Sequence, residues 1–280
     1  MKLVSYRVGN KDSYGVVSGD GVVDLGKRLP QGDLRALLEA GALDAAAKAA
    51  AGAKPDVKLS EIVFLPLLPN PGKIICIGLN YKSHREETGR QETEHPTLFV
   101  RFPESQTAHK QEIVRPKEST QLDFEGELAV IIGKKGRHVS EADALKIVAG
   151  YSCYHDATLR DWQNHTLQWT PGKNFMKTGS FGPWMVTTDE IPDPTALTLT
   201  TRLNGQVVQQ SGTDLLIWPI PELINYITTF TELKPGDVIS TGTPGGVGAK
   251  RKPPLWMKPG DKVEVEITSI GVLENTIGQE

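Results

Sequence analysis

The sequence predicts a strand-dominated α+β fold, and three observations carry that expectation. The chain of 280 residues holds 28 Gly and 19 Pro, 47 together and about 17%, against a usual ~12%. So many chain reversals suit short strands better than a helical bundle. Short apolar or alternating runs recur along the chain, while helix-compatible stretches are confined to a few places. A chain of this length buries roughly three quarters of its unfolded surface, so it needs no disulfide framework to hold a core.

Residues 3–8, 14–18 and 22–25 read as short strands of a meander, with Gly-Asp-Gly at 19–21 as a tight turn. Residues 33–51 are Ala-rich, and Leu34, Leu37, Leu38 and Leu43 fall at roughly helical spacing, so one or two helices are expected there, split at Gly41. Residues 64–72 carry three prolines, which forbids regular structure and sets a domain edge: a small N-terminal unit over 1–68 and a larger unit over 69–280. Beyond it, residues 73–79 form a strand candidate, 80–89 a polar helix stopped by Gly89, and 128–132 a fully apolar strand. Ser140 and Asp143 have capping-box spacing ahead of a helix over 144–149. Residues 197–203 and 207–210 meet through Asn204-Gly205, a strong hairpin signal. Pro219 opens a helix running to about Phe230, and strands follow at 238–241 and 262–270.

Charge and composition exclude several functions. Lys plus Arg number 31 and Asp plus Glu 34, a net charge of -3, so there is no basic field for nucleic acid. No apolar run reaches the ~18 residues of a membrane span, and the opening residues lack a signal-peptide pattern, so the expected compartment is the cytoplasm. Cys76 and Cys153 have no zinc-type spacing and read as buried small residues.

Four segments can carry chemistry. In residues 123–132, Asp-Phe-Glu-Gly-Glu-Leu-Ala-Val-Ile-Ile, a strand extended back from the apolar run puts Asp123, Glu125 and Glu127 on one face, where their charges demand a cation or basic partners. A solvated sheet edge, each acid paired with a nearby Lys or Arg, is the competing account. The strand candidate over residues 151–156 ends in a further acid, Asp156, and carboxylates gathered at one site are hard oxygen ligands that suit Mg²⁺, Mn²⁺ or Ca²⁺ rather than zinc. In the helix over 80–89, His84 and Glu87 share a face at i, i+3, so the carboxylate can orient the imidazole as a general base; two ordinary surface residues would show the same spacing. Pro171-Gly172-Lys173 is the third segment. The fourth, residues 241–248, is Gly-rich without a phosphate-loop or dinucleotide spacing, but its amides and the Thr243 hydroxyl can cradle a carboxylate, unless it is a plain turn.

Taken in order, Asn80-Tyr81-x-x-His84-x-x-Glu87, Asp-Phe-Glu125-x-Glu127-Leu-Ala, Asp156-x-Thr-x-Arg160-Asp161-x-Gln163, Gly-Lys173-x-Phe and Gly-Asp237-x-Ile-x-Thr-Gly-Thr243-Pro resemble the fumarylacetoacetate hydrolase family, over roughly residues 70–270. Its bacterial acylpyruvate hydrolases and hydroxymuconate isomerases, often tied to aromatic catabolism, are the members most similar in pattern. The resemblance implies a mixed β-sandwich roll behind a small N-terminal αβ unit, a homodimer, and Mg²⁺ or Mn²⁺ on Glu125, Glu127 and Asp156. It further implies a lid bearing His84 and Glu87 as the water-activating dyad, and Lys173 at the reacting carbonyl. Tyr81, Arg101, Arg160, Gln163 and Thr243 match substrate contacts and the groups behind them. Where many members have Phe-Leu-Lys-Pro, this chain has Phe99-Val-Arg101-Phe-Pro103, and arginine differs from lysine in reach and hydrogen-bond geometry.

The expected activity is metal-dependent hydrolysis of the C–C bond of an acylpyruvate such as fumarylpyruvate, with an enolate as leaving group. The same enolate chemistry serves a decarboxylase, isomerase or keto–enol tautomerase of an oxaloacetate- or hydroxymuconate-like diacid, and ureidoglycolate lyase is another family activity. A catalytically silent metal- or ligand-binding homologue is the non-enzyme rival, and it has no use for His84, Glu87 and Lys173. The partner in each enzyme case is a small 2-oxo acid or a related acid.

Overall fold

The N-terminal meander forms as β1 (Lys2–Val8), β2 (Lys11–Ser18) and β3 (Gly21–Asp24) in a computed structural model that describes residues 1–91 and 93–280. Two helices follow, α1 (Leu34–Glu39) and α2 (Leu43–Ala50), then the short strands β4 (Val57–Lys58) and β5 (Val63–Phe64). Asp33 caps α1 by accepting from the Ala36 amide, and Gly41, at φ 61, separates the helices. The proline-rich stretch ahead of β6 (Ile74–Gly78) has no regular structure, and the expected edge at residue 68 falls within it. The N-terminal strands nonetheless continue the main sheet, since β1 pairs with β14 (Gly179–Thr187) through Lys2↔Val186 and Leu3↔Met185.

After β6 come α3 (Lys82–Thr88), β7 (Thr97–Arg101), β8 (Gln106–Thr107), β9 (Ile113–Arg115), β10 (Leu122–Asp123) and β11 (Gly126–Ile132). The chain continues through α4 (Glu141–Ala144), β12 (Val148–His155), β13 (Thr158–Leu159), α5 (Arg160–Gln163) and α6 (Thr170–Lys173) to β14. The last third comprises β15 (Thr198–Leu203), β16 (Gln206–Gly212), α7 (Ile220–Phe230), β17 (Val238–Ser240), β18 (Lys262–Ile267) and β19 (Gly271–Gln279). Asn204 (φ 52) and Gly205 (φ 80) make the hairpin turn the sequence announces.

A mixed sheet of twelve strands runs in the order β4-β3-β2-β1-β14-β12-β11-β17-β6-β7, with β5 added on β1 and β8 on β14. A second sheet, β16-β15-β18-β19-β9, packs on one face of it, and α1 and α2 cover the other. β11 shows why a wholly apolar strand is needed at the centre. Leu128, Val130 and Ile132 pack with Leu199, Val265 and α7, while Ala129 and Ile131 pack with Leu34, Leu37 and Leu38. On α7, Leu223, Ile224 and Ile227 are fully buried, each worth about 1.5–3 kcal/mol. The result is the strand-dominated α+β architecture that the composition predicts.

Two local expectations are corrected. The strand does not run unbroken from Asp123 to Ile132: β10 pairs with β13, β11 pairs with β12, and the chain breaks between them because the Asp123 carboxylate accepts from its neighbour's amide at Phe124 (2.8 Å) and from the loop at Gly248 (2.7 Å). The helix expected over 144–149 ends early. Ser140 donates its hydroxyl to the Asp143 carboxylate instead of capping an amide, and β12 claims Val148 and Ala149 for pairing with β11 and β14. Among the described residues, no helix is long and apolar enough to cross a membrane.

Candidate active site

Strand geometry brings three acids together. Glu125 and Glu127 flank Gly126 on one side of β11, and β12 runs antiparallel beside it, with Gly126 opposite His155, so the next residue, Asp156, lands against Glu125. The Asp156 amide donates to the Glu125 carbonyl at 2.9 Å, which fixes that register. One carboxylate oxygen from each of Glu125, Glu127 and Asp156 lies within 4.8 Å of the others, and all three side chains are buried. Gly126 is required by close approach: a Cβ there would lie 2.1 Å from Thr201 Oγ1 in the second sheet.

Asp123, aligned with these acids by periodicity alone, stands apart. Its oxygens take Arg160 Nε (2.7 Å) and the amides of Gly248 (2.7 Å) and Ala249 (3.0 Å), so it anchors a loop rather than joining the triad.

The oxygens of the triad are tied to cations and dipoles. Glu125 accepts from Arg160 Nη2 (2.6 Å) and Lys173 Nζ (2.5 Å). Asp156 accepts from Arg101 Nη1 (2.7 Å) and Lys173 Nζ (2.5 Å). Glu127 accepts from Ser240 Oγ (2.6 Å) and the Gly242 amide (2.9 Å) through Oε2. Burial alone would raise Glu125, but Arg160 and Lys173 outweigh it and hold the carboxyl below its ordinary range. Burial and the charges of Asp156 and Glu125 push Glu127 well up. Lys173 is also buried, yet Asp156 and Glu125 outweigh the desolvation and keep its ammonium charged.

The donors fit a divalent ion. With Glu127 ionised, as a metal ligand must be, four acids (Asp123, Glu125, Glu127, Asp156) face three cations (Arg101, Arg160, Lys173), one negative charge more than the cations match. Hard, clustered oxygens with an unmatched charge suit Mg²⁺ or Mn²⁺.

Helix α3 carries the His84–Glu87 pair. Tyr81 stands at its N-cap and Gly89, left-handed at φ 68, ends it. His84 Nδ1 lies 2.7 Å from Glu87 Oε1, so a neutral imidazole that donates there has its lone pair on Nε2. Glu87 Oε2 accepts from the Gly246 amide (2.9 Å) and Ser83 Oγ from the Gly245 amide (3.1 Å). The glycine loop therefore does cradle carboxylates, but those of Glu87, Asp123 and Glu127, the chain's own. His84, the triad, Lys173, Arg160, Gln163 and Thr243 all line one cavity of about 300 Å³.

Within that set, Gln163 Oε1 accepts from Arg160 Nη1 (2.9 Å), and Thr243 donates to the Gly126 carbonyl (3.0 Å) while accepting from Gln209 (2.8 Å). Two residues expected among the substrate contacts do not line that cavity. Tyr81 is 1% exposed and packs into the core between β6 and α7 because its ring is apolar surface the core can use, so it does not line the cavity. Arg101 is buried behind Asp156, where its fork also reaches Ala157 O (3.0 Å), Thr178 Oγ1 (3.0 Å) and Ser105 Oγ (3.2 Å); it holds a triad member in place. Sequence reasoning missed Ser240, Gln209, Arg90 and Lys250, whose short polar or surface-like contexts carry no pattern. Trp169 lines the cavity, while Trp162 and Trp184 pack elsewhere.

A family model described as fumarylacetoacetate (FAA) hydrolase C-terminal matches residues 73–278. The chain is 39% identical to oxaloacetate tautomerase Fahd2a, mitochondrial, of Rattus norvegicus over 287 residues, covering 99% of this chain and 91% of that protein. Among solved structures, the fumarylacetoacetate hydrolase of psychrophilic Exiguobacterium antarcticum is similar with a TM-score of 0.86 at 31% identity over 100% of both chains. Maleylpyruvate hydrolase from Sphingobium sp. SYK-6, solved with manganese(II) ion and pyruvate, is similar with a TM-score of 0.83 at 27% identity, covering 100% of this chain and 99% of that one. Motif order, strand architecture, acid triad and family match agree, and the chain belongs to the fumarylacetoacetate hydrolase family of enzymes.

Proposed function

We propose that this enzyme is a divalent-metal-dependent keto–enol tautomerase of an oxaloacetate-like 2-oxo acid. The observation that carries the reading is a base and an acid on one cavity with the triad: His84, oriented by Glu87, and the Lys173 ammonium. Tautomerisation needs only such a pair. A divalent ion on Glu125, Glu127 and Asp156 supplies Lewis-acid stabilisation of negative charge at a keto oxygen. His84 Nε2 takes the proton from the carbon beside the keto group, and Glu87 stabilises the imidazolium. Lys173 Nζ donates to the oxygen where charge develops, so a C–H bond breaks, an O–H bond forms, and nothing is oxidised. The 39% identity to an oxaloacetate tautomerase over nearly the whole chain supports this reading ahead of hydrolysis.

A second reading, C–C hydrolysis of an acylpyruvate, is favoured by the cavity of about 300 Å³, which has room beyond a four-carbon acid, and by the likeness to maleylpyruvate hydrolase. There His84 would deprotonate water instead. The test follows enol-to-keto conversion of oxaloacetate spectroscopically, and pyruvate release from fumarylpyruvate, with Mg²⁺ or Mn²⁺ and with chelator. The expected result is metal-dependent conversion that His84→Ala lowers about 10²–10⁴-fold. Full activity in chelator, or in His84→Ala, overturns the proposal; pyruvate release without tautomerisation selects the second reading.

A further inference from the structure

The mouth of the catalytic cavity carries two cations that the chemistry above does not use. Arg90, just past the Gly89 that ends α3, places its guanidinium 5.0 Å from the centre of the Trp169 ring. Lys250 closes the single 3₁₀ turn Gly248–Lys250. Both are exposed and line the same cavity as the triad, and among the described residues neither has an ion-pair partner.

Neither cation hangs from a free loop. Trp169 is fixed edge-on against Phe99, with centroids 5.5 Å apart, and lies over Gly78, where a Cβ would come within 2.3 Å of its ring. A glycine there lets the indole settle on the end of β6 and offer its face to Arg90. The turn bearing Lys250 is pinned through the Gly248 and Ala249 amides on Asp123.

Charge pairing then separates two groups of residues on the cavity. The buried acids are matched by Arg101, Arg160, Lys173 and the divalent ion that they would hold. Arg90 and Lys250, exposed on the same cavity, have no acidic partner among the described residues. Solvated surface cations are the ordinary alternative, but these two share a cavity of about 300 Å³ with the reacting groups, so a ligand long enough to leave the centre meets them.

We propose that Arg90 and Lys250 form a subsite for a second carboxylate, so that the enzyme selects 2-oxo diacids over 2-oxo monoacids. This rests on the reading of the inner site as a metal-dependent 2-oxo acid site, and it adds the residues that read the far end of the substrate. Arg90 offers a planar fork above an indole and Lys250 a mobile point charge, a pairing that accepts carboxylates at slightly different distances.

The experiment uses full-length protein with saturating Mn²⁺ and two length-matched ligand pairs: 2-oxopentanoate with 2-oxoglutarate, and 2-oxohexanoate with 2-oxoadipate. Dissociation constants are measured by calorimetry for wild type, Arg90→Gln, Lys250→Met and the double variant. In wild type at least one diacid is expected to bind about tenfold or more tighter than its monoacid partner, with the gap shrinking at high salt. In the double variant the gap falls to within about twofold while monoacid affinity is unchanged, which also shows that the site remains folded. Equal affinities in wild type, or a gap that survives both substitutions, overturn the subsite and leave the inner-site reading intact. Failure of all four ligands to bind with Mn²⁺ overturns the inner-site reading and the subsite with it.

Discussion

Replacing Arg101 by Met tests whether the buried charges are balanced as described. The side chain is fully buried, pairs with Asp156 at 2.7 Å and reaches three further acceptors, Ala157 O, Thr178 Oγ1 and Ser105 Oγ. Removing one partner of a buried pair typically costs about 3–5 kcal/mol, because the other charge is left uncompensated. At roughly 2–3 °C per kcal/mol for a chain of this size, the metal-free variant should melt about 6–15 °C below wild type. Asp156 escapes part of the cost by taking up a proton. A carboxylate whose folded pKa is raised loses its stabilising contribution as pH rises through that value, so the deficit is larger near pH 8 than near pH 5. Mn²⁺ should then protect the variant more than wild type, since the ion meets one cation fewer. Arg101→Lys keeps a charge without the fork and should fall between. Calorimetric melts with and without Mn²⁺ decide it: a loss below about 1 kcal/mol, or a smaller gain from metal than in wild type, refutes the account.

Glu87→Gln should lower kcat nearly as far as His84→Ala while changing KM less than about threefold, because an amide N–H facing Nδ1 moves the imidazole proton to Nε2; a variant keeping a third of wild-type kcat in steady-state assays contradicts this. Gly126→Ala should cost about 1–3 kcal/mol by driving a Cβ to 2.1 Å from Thr201 Oγ1, and since that hydroxyl has no hydrogen-bond partner, adding Thr201→Ala should restore most of the loss in a double-mutant cycle of urea melts. His109, buried beside Lys110, is pushed from 6.5 to about 4 and accepts from the Glu274 amide at 3.0 Å, a bond only the neutral ring can make. Its folded value lies below its unfolded one, so its contribution of up to about 3 kcal/mol is complete above pH 6.5 and lost as pH falls toward 4. His109→Asn should flatten that part of a pH-stability profile, leaving the share due to His155, which burial pushes down to about 3.

The fold and the triad were legible for different reasons. Alternation, turn residues and proline placement are local signals, so the meander, the Asn204-Gly205 hairpin and the interruption before β6 could be read directly. Glu125 and Glu127 stood out because acids two apart at the head of an apolar strand contradict that strand's burial. Asp156 and the His84–Glu87 pair could be read locally only beside blander accounts, and the ordered family motifs tipped that balance and supplied the role expected of Lys173, since nothing local says that β12 lies beside β11. What stayed hidden depends on the third dimension. Arg101 and a substrate-binding arginine look alike in sequence; only burial on the far side of Asp156 separates them. Asp123 has the right period for the triad and the wrong partners, because the 248–249 amides reach it from a loop more than a hundred residues away.

Lys173 explains how one arrangement serves both balance and reactivity. Its ammonium bridges Glu125 Oε2 and Asp156 Oδ2, while Arg160 and Arg101 hold the opposite oxygens, Glu125 Oε1 and Asp156 Oδ1. Each carboxylate is thus fixed at one oxygen by an arginine and shared through the other with the lysine. The arginines are orienting charges: their forks lock the carboxylate planes, and they have no proton to exchange at working pH. Lysine differs in having rotatable donors on a flexible stem, so it can turn from the acids toward a charged oxygen without leaving the cavity it lines. Phe99, whose ring centre lies 4.9 Å from Nζ, shields that ammonium with an apolar face and keeps water from screening it. The two arginines and the lysine therefore divide the work by chemistry: rigid charge where a ligand set must be held, mobile charge where the proposed reaction would develop negative charge.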